Sequence, residues 1–107
     1  MAGEGKLHVL FQPHLFSRTK EFYRQFASAL SLADTVTLLE IYPAREEPIE
    51  GVNSELIAER VEVPAHVFTP EAAVAHVVEN AEPGDVIMTV GAGDVTYLGA
   101  QLLDALS

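Results

Sequence analysis

The sequence predicts an α/β fold: a Rossmann-like three-layer sandwich, with a mostly parallel sheet of about four strands and helices on both faces. Three observations carry this. Short apolar runs alternate with helix-period patterns four times along the chain, which calls for right-handed crossovers between parallel strands. Val36, Leu38, Leu39 and Ile41 form a run too continuous for a sheet with one wet face, so that strand is buried on both sides. Thr69-Pro70-Glu71 is a strong helix start, with a capping hydroxyl, proline at the first helical position and an acid in the first turn.

Residues 1–5 contain two glycines and read as a loose start. The first strand covers about Leu7 to Gln12 and ends at Pro13, which offers no N–H to a ladder. Ser17 or Thr19 can cap the helix that follows, from about Arg18 to Ser31. Phe22, Phe26 and Leu30 recur every four residues, with Tyr23 and Ala27 beside them, giving one broad apolar face. The second strand runs from about Thr35 to Tyr42, and Pro43 and Pro48 bracket the loop after it.

Asn53 or Ser54 then caps a short helix over about Glu55 to Arg60, weakened by Glu55 and Glu59 stacked four apart. A third strand is expected near Ala65 to Phe68. The helix begun at Thr69-Pro70 carries Val74, Val77, Val78 and Ala81 on one stripe and stops at Pro83-Gly84. Val86 to Val90 is the fourth strand, and a last helix is predicted from about Val95 to Leu106, with Leu98, Leu102 and Leu106 in line.

Length and composition bound the function. At 107 residues this is a single domain, residues 1–107. It has no cysteine, so disulfides and thiolate metal sites are excluded. No apolar run approaches the roughly 20 residues of a membrane span, and no secretory signal is visible, so a cytoplasmic location is expected. The net charge of −10 argues against nucleic acid and against an anionic membrane as partners. The acidic residues between Glu46 and Glu62 lack the spacing of a calcium loop and read as a solvated face.

The turn between the first strand and the first helix is the most informative stretch. The chain has 6 basic residues against 16 acidic ones, yet Arg18, Lys20 and Arg24 fall close together there. Arg18 and Lys20 stand at a helix start, where the dipole disfavours cations. Helix-end amides and a guanidinium facing one turn would suit a small carboxylate or phosphate. His14 shares the turn, and the alternative is a solvated Arg18 beside a satisfied loop histidine.

Other motifs weigh less. Gly91-Ala92-Gly93-Asp94 follows a strand and precedes a helix, but Thr96 stands where a dinucleotide fingerprint needs glycine or alanine. Asp94 would cap the helix itself and repel an anion, so the turn is read as a tight N-capped turn bordering the same cleft. Arg45 either pairs on the surface with Glu46 or Glu47, which is slightly favoured, or reaches the cleft. His8, His66 and His76 form no metal-ligand spacing with His14, so no metal site is expected. No Ser/His/Asp arrangement with a nucleophile elbow is present, and no P-loop that could grip ATP phosphates.

Phe11-Gln12-Pro13-His14 followed by Ser17-Arg18-Thr19 resembles the C-terminal domain of the Mur ligases. The resemblance continues through Ile41-Tyr42-Pro43-Ala44-Arg45-Glu46-Glu47-Pro48, Gly51-Val52-Asn53-Ser54 and Gly91-Ala92-Gly93-Asp94-Val95, in order and in register. Within the family it is most similar to the alanine-adding members. The resemblance implies a three-domain protein of peptidoglycan precursor synthesis, with a UDP-sugar domain, a central ATPase carrying the P-loop, and this domain, which brings the amino acid. It implies an ATP-dependent amide bond: the carboxylate of UDP-N-acetylmuramate becomes an acyl phosphate, and L-alanine attacks it. ATP and Mg2+ would be bound mainly by the domains outside this chain, and the isolated domain would be inactive.

On that resemblance His14 and Arg18 match the family's His-x-x-x-Arg positions and would bind the incoming amino acid, Arg18 through its carboxylate. From the residues themselves, Arg45, Gly91, Gly93 and Asp94 are candidates to line the same cleft. Leu15 and Phe16 stand where many relatives carry arginine and tyrosine. Three alternatives remain: a Mur ligase that recycles murein tripeptide, a non-catalytic small-ligand-binding α/β module, and a nucleotide-binding domain using Gly91 and Gly93.

Overall fold

The computed structural model describes residues 5–91. Seven elements follow in order: β1 (Leu7–Gln12), α1 (Phe16–Leu30), β2 (Thr35–Leu39), α2 (Glu55–Ala58), β3 (Ala65–Phe68), α3 (Pro70–Asn80) and β4 (Val86–Gly91). The four strands form one sheet in the order β3-β2-β1-β4, and every pairing is parallel. The predicted fold class holds. The helix expected over Val95 to Leu106, and residues 1–4 of the loose start expected over 1–5, lie outside the described residues.

The two faces of the sheet are read directly from strand alternation. Val9 and Phe11 of β1, with Val36 and Leu38 of β2, point to one face and meet Ala27 and Leu30 of α1 and Ile57 of α2. Leu10 and Leu39 point to the other face and meet Ala73 and Val77 of α3. This is why β1 and β2 lack polar alternation: helices cover both sides. Leu10 and Leu38 are fully buried, as is Ile57.

The helix ends differ from their sequence reading. α1 starts at Phe16, before Ser17 and Thr19, and its N-cap position is Leu15, which has no side chain able to cap. Thr19 is instead buried in the first turn, and its hydroxyl donates back to the Leu15 carbonyl at 2.9 Å. Phe22 is half exposed, so the buried stripe of α1 is narrower than its aromatic spacing suggests. The predicted cap at Thr69 is present, its hydroxyl accepting from the Ala72 N–H at 3.3 Å. β2 stops at Leu39, three residues short of the Tyr42 expected. The chain past it is held by single contacts, among them an isolated bridge between His14 and Tyr42.

A second polar cluster pins the opposite end of the sheet. His8, 3% exposed, donates from Nε2–H to the Asp85 carboxylate at 2.7 Å, and its Nδ1 hydrogen-bonds the Thr35 hydroxyl at 2.7 Å. Asp85 also accepts the backbone N–H groups of Lys6 and Glu82. Those bonds, the Lys6 N–H first and the His8 ring next, hold its carboxyl down at about 2 from an ordinary 3.8. A buried histidine inside a strand is thus fully satisfied, and it ties the start of β1 to the starts of β2 and β4.

Candidate functional site

The strand order fixes where a site belongs. The chain moves from β1 to β2 to β3 in one direction, then crosses back to place β4 on the other side of β1. The strand order therefore reverses between β1 and β4, and in open α/β sheets ligands bind outside the carboxyl ends at that reversal. Gln12 and Gly91 are register partners at those carboxyl ends. The Gln12-Pro13-His14 turn and the end of β4 at Gly91 therefore lie side by side.

Gly91 has φ of +121°, a conformation that suits glycine. A Cβ there would fall on the Gln12 carbonyl oxygen, with the Gln12 carbonyl carbon at 3.1 Å and its nitrogen at 3.2 Å. The glycine is what lets the β4 end lie against β1. Gly93 and Asp94 lie outside the described residues, so their place at the cleft rests on sequence.

The β1–α1 turn and the loop after β2 are laced together. The Leu15 N–H donates to the Tyr42 carbonyl at 2.9 Å, and the Tyr42 N–H donates to the Pro13 carbonyl at 2.8 Å. The His14 ring stacks on the Tyr42 ring, with centroids 6.0 Å apart and planes 25° from parallel. Glu46, farther along the same loop, reaches the start of α1. Its Oε1 accepts the Ser17 N–H at 3.0 Å, and its Oε2 accepts the Ser17 hydroxyl. The Ser17 hydroxyl and N–H together hold the Glu46 carboxyl below the ordinary range. A helix whose N-cap residue is leucine therefore takes its capping acid from another element.

Both loops carry strain. Leu15 has φ of 72° and Ala44 has φ of 53°, the only two non-glycine residues with positive φ among the described residues. Such backbone persists where surrounding bonds over-determine it, and it concentrates at ligand clamps and switch regions.

The candidate residues come out as follows. His14 lies on the β1–α1 turn, half-buried against Tyr42, and Arg18 lies in the first turn of α1, exposed. The Arg18 side chain has no hydrogen-bond or ion-pair partner among the described residues. Arg45 is exposed on the β2–α2 loop and is likewise unpaired there, so the favoured surface pairing with Glu46 or Glu47 does not form. Glu46 instead turns away to Ser17.

Sequence reasoning missed this role of Glu46. Glu46 stands 29 residues from Ser17, and no spacing rule links them. The sequence offered no signal for it, because Ser17 and Thr19 look like local caps and only the structure puts Leu15 at the N-cap.

No group of three or more His, Asp or Glu side chains that could hold a metal ion occurs among the described residues. His66 and His76 lie near each other, with ring centroids 6.4 Å apart, but His76 stacks on Phe68 at 4.6 Å instead of facing a shared ion. A groove of about 340 Å³ on the α1 side of the sheet is lined by apolar side chains, among them Val9, Phe11, Phe26, Leu30, Met88 and Val90. It offers nothing to orient a charged substrate, unlike the strand ends. No helix among the described residues is long and apolar enough to cross a membrane.

Comparison with known proteins gives a consistent answer. The profile of the family described as "Mur ligase, glutamate ligase domain" matches residues 1–93. The chain is 55% identical over 106 residues to a UDP-N-acetylmuramate–L-alanine ligase of Paenarthrobacter aurescens, covering 99% of this chain and 23% of that protein. It is 51% identical over 106 residues to the protein of the same name in Mycobacterium ulcerans, covering 98% of this chain and 22% of that one. The chain thus spans under a quarter of the length of these curated relatives. Among solved structures it is similar to a crystal structure described as a domain from a UDP-N-acetylmuramate:L-alanyl-gamma-D-glutamyl-diaminopimelate ligase of Haemophilus ducreyi. That likeness has a TM-score of 0.68 at 21% identity, covers 99% of this chain and 72% of the other, and shows the fold.

Proposed function

This chain belongs to the Mur ligase family, and from that premise we propose that it is the C-terminal domain of a UDP-N-acetylmuramate–L-alanine ligase, which binds L-alanine and closes on the other domains. The observation that carries the reading is identity of 50% or more, over nearly the whole chain, to proteins of that name. The intact protein would join L-alanine to the carboxylate of UDP-N-acetylmuramate in peptidoglycan precursor synthesis, in the cytoplasm.

The described residues do not fit ATP or Mg2+. The chain has no P-loop, and its described residues offer no cluster of metal ligands. Both would be held mainly by the other domains of the longer protein.

What these residues supply is binding and orientation. Arg18 is the preferred partner of the alanine carboxylate, because its guanidinium is unpaired and can give two parallel hydrogen bonds. His14, steadied by Tyr42, helps orient the amino acid. Domain closure over this edge would exclude water from a reactive acyl group.

The test is phosphate release by the intact protein with ATP, Mg2+ and UDP-N-acetylmuramate, titrated with L-alanine, beside Arg18→Ala. L-alanine should trigger release, and Arg18→Ala should raise the alanine requirement about 10- to 100-fold, as expected for loss of a charged hydrogen bond. If alanine triggers release and the variant matches the parent, the ligase reading stands and the site is wrong. If a peptide triggers release and alanine does not, the tripeptide-recycling reading replaces it.

A further inference from the structure

We propose that Glu46 is a positioning residue of the amino-acid site: by capping α1 from the β2–α2 loop, it brings Arg45 alongside Arg18 to form one anion-binding rim. The inference rests on the ligase reading above and extends it from one guanidinium to two.

Three observations combine. Both Glu46 carboxylate oxygens are used on Ser17, one on its N–H at 3.0 Å and one on its hydroxyl. Each latch partner is the sequence neighbour of an arginine, Ser17 of Arg18 and Glu46 of Arg45. Both arginines are exposed and unpaired among the described residues, in a chain of net charge −10 with many carboxylates to choose from. The latch thus ties together the two chain segments that carry these free arginines.

The backbone explains why a latch is required. The loop after β2 leaves the sheet through the strained Ala44, and the facing turn passes through the strained Leu15. Two backbone hydrogen bonds at Tyr42 anchor the near end of the loop. Beyond Ala44 a turn bond from the Glu46 N–H to the Pro43 carbonyl, at 2.9 Å, is local to the loop. The Glu46 carboxylate is what ties that arm to α1. By occupying the helix-end amides, Glu46 also takes the position an anion would otherwise seek, leaving the arginines to hold the substrate carboxylate.

The experiment uses the intact protein and the phosphate-release assay, with Glu46→Ala, Arg45→Ala, the double variant and Ser17→Ala, and thermal melts to confirm folding. Glu46→Ala and Arg45→Ala should each raise the KM for L-alanine about tenfold, with kcat and the KM for UDP-N-acetylmuramate within about twofold, because a misplaced clamp weakens binding of one substrate. The double variant should be little worse than either single one, since both changes disable the same contact. Should Glu46→Ala fail to fold, Ser17→Ala, which removes one of the two latch bonds, should still raise the alanine KM about two- to fivefold.

A folded Glu46→Ala or Ser17→Ala with unchanged alanine KM overturns the proposal. So do Glu46 and Arg45 effects that multiply independently, or a variant whose kinetic constants all fall together, as a merely structural role would give. If Arg18→Ala responds and Glu46→Ala does not, only this proposal fails. If the parent shows no response to L-alanine, the ligase reading fails and takes the proposal with it.

Discussion

Replacing Gly91 by alanine should destabilise this chain more than its small size suggests. Two costs add. At φ of +121° an L-residue is strained, by about 1–3 kcal/mol. The new methyl would also land on the Gln12 carbonyl, a backbone group that cannot swing aside. Relief requires the end of β4 to move off β1, losing the last Gln12–Gly91 rung, worth about 0.5–1.5 kcal/mol. The sum is about 2–4 kcal/mol, or a fall in Tm of roughly 10–20 °C for a chain of this size. Gly51 supplies the control: its φ is +80° but nothing lies within 4 Å of a Cβ there. Gly51→Ala should therefore cost only the backbone strain, about 1–2 kcal/mol. Thermal unfolding of parent and both variants, followed by circular dichroism, makes the comparison. Equal losses at the two glycines, or a Gly91→Ala variant within about 0.5 kcal/mol of the parent, would show that β4 is not held against β1 as described.

Acid should loosen the far end of the sheet through Asp85. Its carboxyl is lowered from 3.8 to about 2 in the folded chain, so its stabilisation is fully present well above pH 3.8 and is lost as pH falls through that value toward 2. Asp85→Asn should flatten that part of the stability–pH curve, measured by urea unfolding at a series of pH values. An unchanged acid limb would remove Asp85 from the account. Ile57→Ala should cost about 2–5 kcal/mol by opening a cavity beneath α1 and α2, since Ile57 is fully buried. Leu32→Ala, at a residue 87% exposed, should stay within about 0.5 kcal/mol in the same melts.

The architecture is legible in the residues, because local chemistry and the global fold agree along most of the chain. Continuous apolar runs at β1 and β2 require cover on both faces, and α1 and α3 provide it. Thr69-Pro70 starts α3 where its hydroxyl and ring dictate. The Pro13 turn places His14 and Arg18 at a strand's carboxyl end, and Phe11-Gln12-Pro13-His14 with Ser17-Arg18-Thr19 carries the family likeness. Where local signals failed, a partner distant in sequence had taken over. Ser17 and Thr19 look like caps, but Thr19 is buried in the first turn and Ser17 donates to Glu46. Arg45 looks paired with its neighbours, but Glu46 has a stronger use in the trans cap of α1. His8 looks like a polar misfit in a strand until Asp85, 77 residues on, closes over it. Periodicity and turn chemistry act over a few residues, so they are legible in one dimension. Which carboxylate meets which donor across two loops depends on strand order and register, which no local pattern encodes.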